Sequence, residues 1–293
     1  MKKISTAERS VTIARLGASL LVAGLAVACL WGVPGQAVAQ GAATIVIDGS
    51  TTVGPIAKAF AEYYMSLHSG VNITVSESGS GNGAKSLING TCTIADMSRF
   101  MKKKEFAAAV EKGVTPVAHV VAMDGIAMIV HPSNPVKELT VDQARDIYTG
   151  RIANWRDVGG PNRKIVVISR DTNSGTYETF DKLVMKKERM GNATEYLGSN
   201  GAIRQRVQST QAAIGYVGLG FIDRTVKALL VDGVLPTRNT VASGQYPIAR
   251  PLFMFTNGYP KLGSHVHAFV TLHLGPKGQE IIDAIGFVPV TSY

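Results

Sequence analysis

The stretch Asp48-Gly49-Ser50-Thr51-Thr52-Val53-Gly54-Pro55 follows the apolar run Thr44-Ile45-Val46-Ile47 and precedes Ile56, Phe60, Tyr63 and Leu67, which recur at helical spacing. It reads as a buried strand, a hydroxyl-rich turn and a helix with one apolar face. Pro55 suits the first helical turn, where its missing N–H would be unpaired in any case. Such a turn gathers backbone N–H groups at a helix N-terminus, a place suited to an anion. Two later runs echo it: Ser78-Gly79-Ser80-Gly81-Asn82-Gly83 and Arg170-Asp171-Thr172-Asn173-Ser174-Gly175-Thr176. Taken singly, each is an ordinary Gly/Ser turn, and Thr51 or Ser174 need be no more than a helix cap. Taken jointly, beside an arginine, they predict a tetrahedral oxyanion held by hydroxyls, amides and one guanidinium.

Working outward, Asn72 to Val75 is a second predicted strand, Ala84 to Asn89 a short helix and Thr93 to Met97 a third strand. This β-α-β-α-β order implies a mostly parallel sheet covered by helices, with ligands beyond the carboxyl ends of the strands. Pro116 to His131 is β-rich and reads as two strands, Val117 to Val121 and Ile126 to Val130. After Pro132 and Pro135 the alternation restarts: a helix near Val141 to Tyr148, a strand Lys164 to Ser169, a helix Tyr177 to Lys187, and strands over 213–218 and 228–231. Pro247 to Phe255 leads into two helical patterns, Val266 to Leu274 and Gly278 to Ile285. The expected fold is α/β with two similar lobes, each a mostly parallel sheet flanked by helices, and the ligand in the cleft between them. Residues 40–125 would form the first part of lobe I, 126–248 lobe II, and 249–293 the return that completes lobe I.

Residues 1–39 carry the marks of an export signal: Lys2, Lys3, Arg9 and Arg15, an apolar stretch from Leu16 to Val33, and the small-x-small site Ala37-Val38-Ala39. Cleavage before Gln40 would leave the mature protein in the periplasm. A lipid anchor at Cys29 is the weaker reading, because Ala26 stands where a lipobox prefers a larger aliphatic residue. Cleavage removes four cationic residues and one anionic one, so the formal charge falls from +9 to +6. That field suits an anionic small ligand, and the scattered basic residues do not compose a nucleic-acid surface. Lys102-Lys103-Lys104 reads as a solvated helix start. Cys92 alone would survive cleavage, as a small buried thiol without an intrachain disulfide.

Enzyme signatures are missing. Ser78 and Thr172 occupy the first-glycine positions that a nucleophile elbow around Ser80 or Ser174 would need. No phosphate loop ending in Gly-Lys-Ser/Thr and no Gly-x-Gly-x-x-Gly run occurs. His265 and His267, two apart on a helix, point in different directions. The expectation is therefore no catalytic residue, no metal and no cofactor. The competing functions are a receptor for sulfate or molybdate, a phosphate-sensing surface protein and, more remotely, a phosphate-ester hydrolase. Trp155 is expected to pack rather than to line the cleft.

Gly49-Ser50-Thr51-Thr52-Val53, Gly79-Ser80-Gly81 with Asp96-Met97-Ser98-Arg99, Asp124-Gly125-Ile126-Ala127, Gly150 to Trp155, Arg170 to Thr176, and Ser199-Asn200-Gly201 with Ile214 to Gly218 occur in an order that resembles one family. The chain is similar over residues 43–293 to the periplasmic, PstS-like phosphate-binding proteins of high-affinity phosphate ABC transporters. The resemblance implies a two-lobed, type II solute-binding fold that closes on inorganic phosphate and delivers it to an inner-membrane permease, as a monomer. It places Thr51, Thr52, Ser80, Ser98, Arg170, Ser174, Gly175 and Thr176 at ligand-binding positions. Well-known members carry aspartates where this chain has Ser98 and Thr172. A carboxylate there can accept the proton of hydrogen phosphate and repel sulfate, so the two departures bear on selectivity. Asp171, one residue along, has two readings: it orients Arg170 or accepts the ligand proton, or it is a solvated loop acid.

Overall fold

The structure, a computed structural model, describes residues 43–291. The expected export signal over residues 1–39, Cys29 included, lies outside the described residues. The opening run folds into the predicted strand and helix: Ile45 and Ile47 of β1 (Ala43–Gly49) are buried beneath α1 (Gly54–Leu67), which contributes Ile56, Ala57 and Phe60 to the same core, while Tyr64 replaces Tyr63 on the buried face and Leu67 is exposed. The chain continues through β2 (Val71–Ser76), α2 (Ser80–Ile88), β3 (Ile94–Met97) and α3 (Lys103–Glu111). Helix α2 starts four residues before the prediction. Its glycines lower helix propensity, yet they permit contact: a Cβ on Gly83 would stand 2.7 Å from the Asp48 carbonyl oxygen and 2.8 Å from Gly49 Cα.

The two strands expected between Pro116 and His131 are one, the 15-residue β4 (Pro116–Val130). There follow β5 (Glu138–Leu139), α4 (Val141–Thr149), β6 (Val166–Arg170), α5 (Gly175–Phe180), β7 (Glu195–Leu197), α6 (Asn200–Gln208), β8 (Ala213–Gly218), β9 (Lys227–Ala228), β10 (Leu230–Val231) and α7 (Arg238–Ala242). Strand β11 (Ala249–Asn257) and helices α8 (His265–Val270) and α9 (Pro276–Ala284) close the fold. Helix α5 is shorter than predicted and passes into a π-turn over Asp181–Met185, after which Lys186 and Lys187 take positive φ and stop it. Helix α6 is an element for which the sequence reading names no pattern; the Ser199 hydroxyl caps it by accepting from the Ala202 N–H.

The main sheet runs β2-β1-β3-β11-β4-β8-β6-β7, with β9 beside β4. On either side of the middle it is parallel: β1 with β2 and β3, and β6 with β7 and β8. The middle departs from that expectation, because β11 is antiparallel to both β3 and β4, and β4 is antiparallel to β8. The geometry follows from connectivity. Residues 116–125 of β4 pair with β11, and residues 126–130 pair with β8, so one strand belongs to both halves and changes partner between Gly125 and Ile126. The halves have separate apolar cores, one around Phe60, Phe269 and Phe287, the other around Tyr148, Trp155 and Phe180. We call them the first and second lobes. Trp155 is fully buried and donates its indole N–H to the Ala212 carbonyl at 2.9 Å, a packing role. Cys92 is a buried free thiol whose pKa is pushed up to about 12 by burial, with Asp48 and Asp96 adding to the shift.

Candidate functional site

The three hydroxyl-rich turns meet where the lobes face each other. In the first, Ser50 and not Thr51 closes the turn before α1: its Oγ accepts from the N–H groups of Thr52 and Val53 at 3.1 and 3.3 Å, and no side chain caps the helix itself. The hydroxyls of Thr51 and Thr52 take no part in the turn's own bonds, and both residues are buried. Gly49 sits at φ +138° with no room for a Cβ, which would stand 2.2 Å from the Asp96 carbonyl oxygen. That close approach lets Ser50 N–H donate to Asp96 O at 2.8 Å and turns the chain into the loop. In the second turn, Ser80 Oγ accepts from the Ser98 N–H at 3.0 Å and lies 3.3 Å from Ser98 Oγ.

In the third turn Ser174 does cap a helix, accepting from the N–H groups of Thr176 and Tyr177 at 3.1 and 3.2 Å. Capping uses its lone pairs and leaves its O–H free to donate. Gly175 lies against the other lobe: a Cβ there would come within 2.6 Å of Ser80 Oγ and 2.7 Å of Ser98 Oγ. Thr176 reaches across as well, its Oγ1 2.9 Å from Thr52 Oγ1. All eight residues singled out in the sequence are buried, and the contacts just described join Thr52, Ser80, Ser98, Gly175 and Thr176 across the lobes.

Arg170 stands out among them. It is 1 % exposed, and its Nε and Nη2 donate to the carbonyls of Leu197 and Gly198 at 3.3 and 2.8 Å. Its Nη1 has no hydrogen-bond partner among the described residues. Burial pulls the guanidinium down to about 10, while Tyr216 and Asp171 raise it and Arg250 lowers it further. A permanently charged group held in this way is complementary to an anion. Asp171 makes an Asx turn, accepting from the Asn173 N–H at 2.8 Å, so it acts on Arg170 through its field and not through a direct bond. Thr172 is exposed in the same loop.

Three further residues join the cluster that sequence reasoning did not assign to it. Asn200, at the start of α6, donates through Nδ2 to Thr51 Oγ1 at 3.2 Å and to Thr52 Oγ1 at 2.9 Å. Arg250 of β11 and Asp124 of β4 are register partners and form a buried ion pair, Nη2 to Oδ2 at 2.9 Å. Burial pushes the Asp124 carboxyl up and the Arg250 guanidinium down, and each partner draws the other back. In the sequence Asp124 stands out only as the first residue of the run Asp124-Gly125-Ile126-Ala127. The available signal was its opposite charge to Arg250 on the two strands that make the crossing between the lobes.

The rim carries ion pairs between the lobes. Glu178 of α5 meets Arg99 Nε at 2.9 Å and Lys102 Nζ at 2.8 Å, and Gly81 N–H donates to the Asn173 carbonyl at 3.0 Å. Lys102 is thus more than the solvated helix start expected of it. Among the described residues there is no group of three His, Cys, Asp or Glu side chains that could hold a metal ion. His265 instead has its Nδ1 2.9 Å from the Tyr64 hydroxyl.

Comparison with known proteins agrees with this arrangement. Residues 34–275 match the PBP superfamily domain. The chain is 34 % identical to Protein SphX of Synechococcus elongatus, covering 85 % of this chain and 78 % of that one. It is 33 % identical to the phosphate-binding protein PstS of Bacillus subtilis, covering 85 % and 81 % respectively. Among solved structures, a substrate-binding protein from Clostridium perfringens, ascribed to phosphate ABC transport and crystallised with bound phosphate, superposes with a TM-score of 0.78 at 34 % identity, over 85 % of this chain and all of that one.

Proposed function

We propose, from the premise that the chain belongs to the PBP superfamily and is PstS-like, that it captures inorganic phosphate between its lobes and hands it to an ABC permease. The carrying observation is the buried Arg170, whose Nη1 has no hydrogen-bond partner among the described residues and which ends the strand leading into the Ser174-Gly175-Thr176 turn. The ligand-binding set is Thr51, Thr52, Ser80, Ser98, Arg170, Ser174, Gly175 and Thr176. Ser174 and Thr176 flank the glycine that allows close approach, and the hydroxyls donate while Arg170 supplies the charge. Binding is non-covalent. An open form exposes the donors of one lobe, and hinge closure, the motion periplasmic binding proteins use, brings up those of the other. The anion stabilises the closed form through contacts that the open one does not make. The membership is that of a transport receptor, and we assign no turnover. The protein works outside the cytoplasm, exported by residues 1–39, as a freely diffusing monomer.

Calorimetric titration of the mature protein, stripped of anion by unfolding and refolding, tests this reading. Phosphate is expected to bind tightly and sulfate not at all. Absence of phosphate binding would overturn it, and equal binding of both would make the protein a general oxyanion receptor.

A further inference from the structure

The Asp124–Arg250 pair has a use beyond neutralising buried charge. Every guanidinium nitrogen of Arg250 is engaged: Nε and Nη2 donate to Asp124 Oδ2 at 3.2 and 2.9 Å, Nη1 to the Ser98 carbonyl at 3.0 Å, and Nη2 also to Thr176 Oγ1 at 2.8 Å. The other carboxylate oxygen, Asp124 Oδ1, accepts from the Leu219 N–H at 2.8 Å. Arg250 is therefore fixed where β4 and β11 cross between the lobes, and it touches one ligand-site residue from each.

The hydroxyl protons can be followed from there. Arg250 carries only donors, so Thr176 Oγ1 accepts from it. Asn200 is oriented by the Gly218 N–H, which donates to its Oδ1 at 3.2 Å, so its amide nitrogen faces Thr51 and Thr52 and their oxygens accept. Thr51, Thr52 and Thr176 together hold three O–H protons. Among the described residues the Thr52–Thr176 contact is the one place where any of them is accepted, and it takes one. The other two are left to be donated outward, to the lone pairs of an anion.

We propose that Arg250, anchored by Asp124, is a positioning residue of the anion site. With Asn200 it fills the acceptor side of the threonine hydroxyls and turns their protons toward the ligand. Because the anchor lies at the strand crossing and Thr176 lies across the interface, donor alignment and lobe closure are one event. This role rests on the phosphate-capture reading above.

A double-mutant cycle between Arg250 and Thr176, read as phosphate affinity by calorimetry, tests it. Arg250→Gln is expected to weaken phosphate binding at least about tenfold, against about twofold or less when introduced into a Thr176→Val background, because the group it acts through is already gone. The paired variant Asp124→Asn/Arg250→Gln removes both buried charges together, which protects folding, and is expected to show the same tenfold loss. Wild-type affinity in either Arg250 variant, or losses that multiply across the cycle, overturns the positioning role and leaves phosphate capture standing. Failure of the wild-type protein to bind phosphate is the different result, which removes the proposed function and this role with it.

Discussion

The anion-facing turns of the two lobes are built from the same residue types and backed by different ionisable groups. Behind the first lobe's turns stand carboxyls: Asp48, whose two oxygens accept from Ser78 and Ser86 at 2.6 Å each, Glu77, packed against Gly54, and the fully buried Asp96. Behind the second lobe's turn stands Arg170. The first lobe's turns thus offer neutral donors, its Arg250 being paired with Asp124, and the second lobe's Arg170 offers the charge. Hydroxyl-rich turns of one composition therefore do different work: the second lobe is expected to receive the anion first, and the first lobe to close over it.

The largest expected effect comes from removing that charge. Arg170→Ala should cost at least about 1.5–3 kcal/mol of phosphate binding, the range for a hydrogen bond to a charged group, or roughly 10- to 100-fold in Kd. Unchanged affinity by calorimetry would erase the contrast between the lobes. Next is the contact between the turns. Gly175→Ala places a methyl against the Ser80 and Ser98 hydroxyls and should cost about 1–3 kcal/mol of closed-state stability, the usual range for overpacking. It should appear as weaker binding and, by small-angle scattering, as a phosphate-bound protein that remains more open. A smaller effect is expected at the rim, where Glu178→Gln breaks the Arg99 and Lys102 ion pairs between the lobes. A loss on the order of 1 kcal/mol in affinity, shrinking as salt is raised, would mark them as part of closure.

The smallest test bears on the first lobe's acidity. Neither carboxyl oxygen of Asp96 has a hydrogen-bond partner among the described residues, and burial, reinforced by Glu77 and Asp48, raises its pKa well above the usual range. The folded protein then keeps a proton that the unfolded chain loses above about pH 3.9. Its contribution to stability is complete below that pH and declines as pH rises toward the folded value. Asp96→Asn should accordingly gain on the wild type as pH is raised from 4 to 8, by a few degrees in Tm. Parallel Tm profiles would show that the first lobe carries no such strain.

Much of this was legible in the chain. The period of Ile56 and Phe60 and the Pro55 start place α1 and the β-α order, and the three hydroxyl runs supply eight residues that the fold buries, because each rests on local chemistry. What escaped depends on distant partners. Asp124 and Arg250 are 126 positions apart and become a pair only through strand register. Asn200 gains its role from where α6 is docked, and the continuity of β4 through Asp124-Gly125 follows from having a neighbour on each stretch, which no local pattern encodes. Glycines misled as well: Gly81 and Gly83 sit inside a helix, where propensity yields to close approach, Gly83 to β1 and Gly81 to Asn173.

Strand β11 also sets the order in which the molecule can be assembled. The first lobe's sheet lacks its inner strand until residues 249–257 are available, and Phe269, Ile282 and Phe287 of its core come later still. The second lobe's strands, from the end of β4 to β8, lie in one uninterrupted stretch. During synthesis the later-starting lobe can therefore complete itself while the earlier-starting one waits, its apolar residues exposed until almost the last residue has emerged. A chain built this way stays threadable from its front end for nearly the whole of its synthesis.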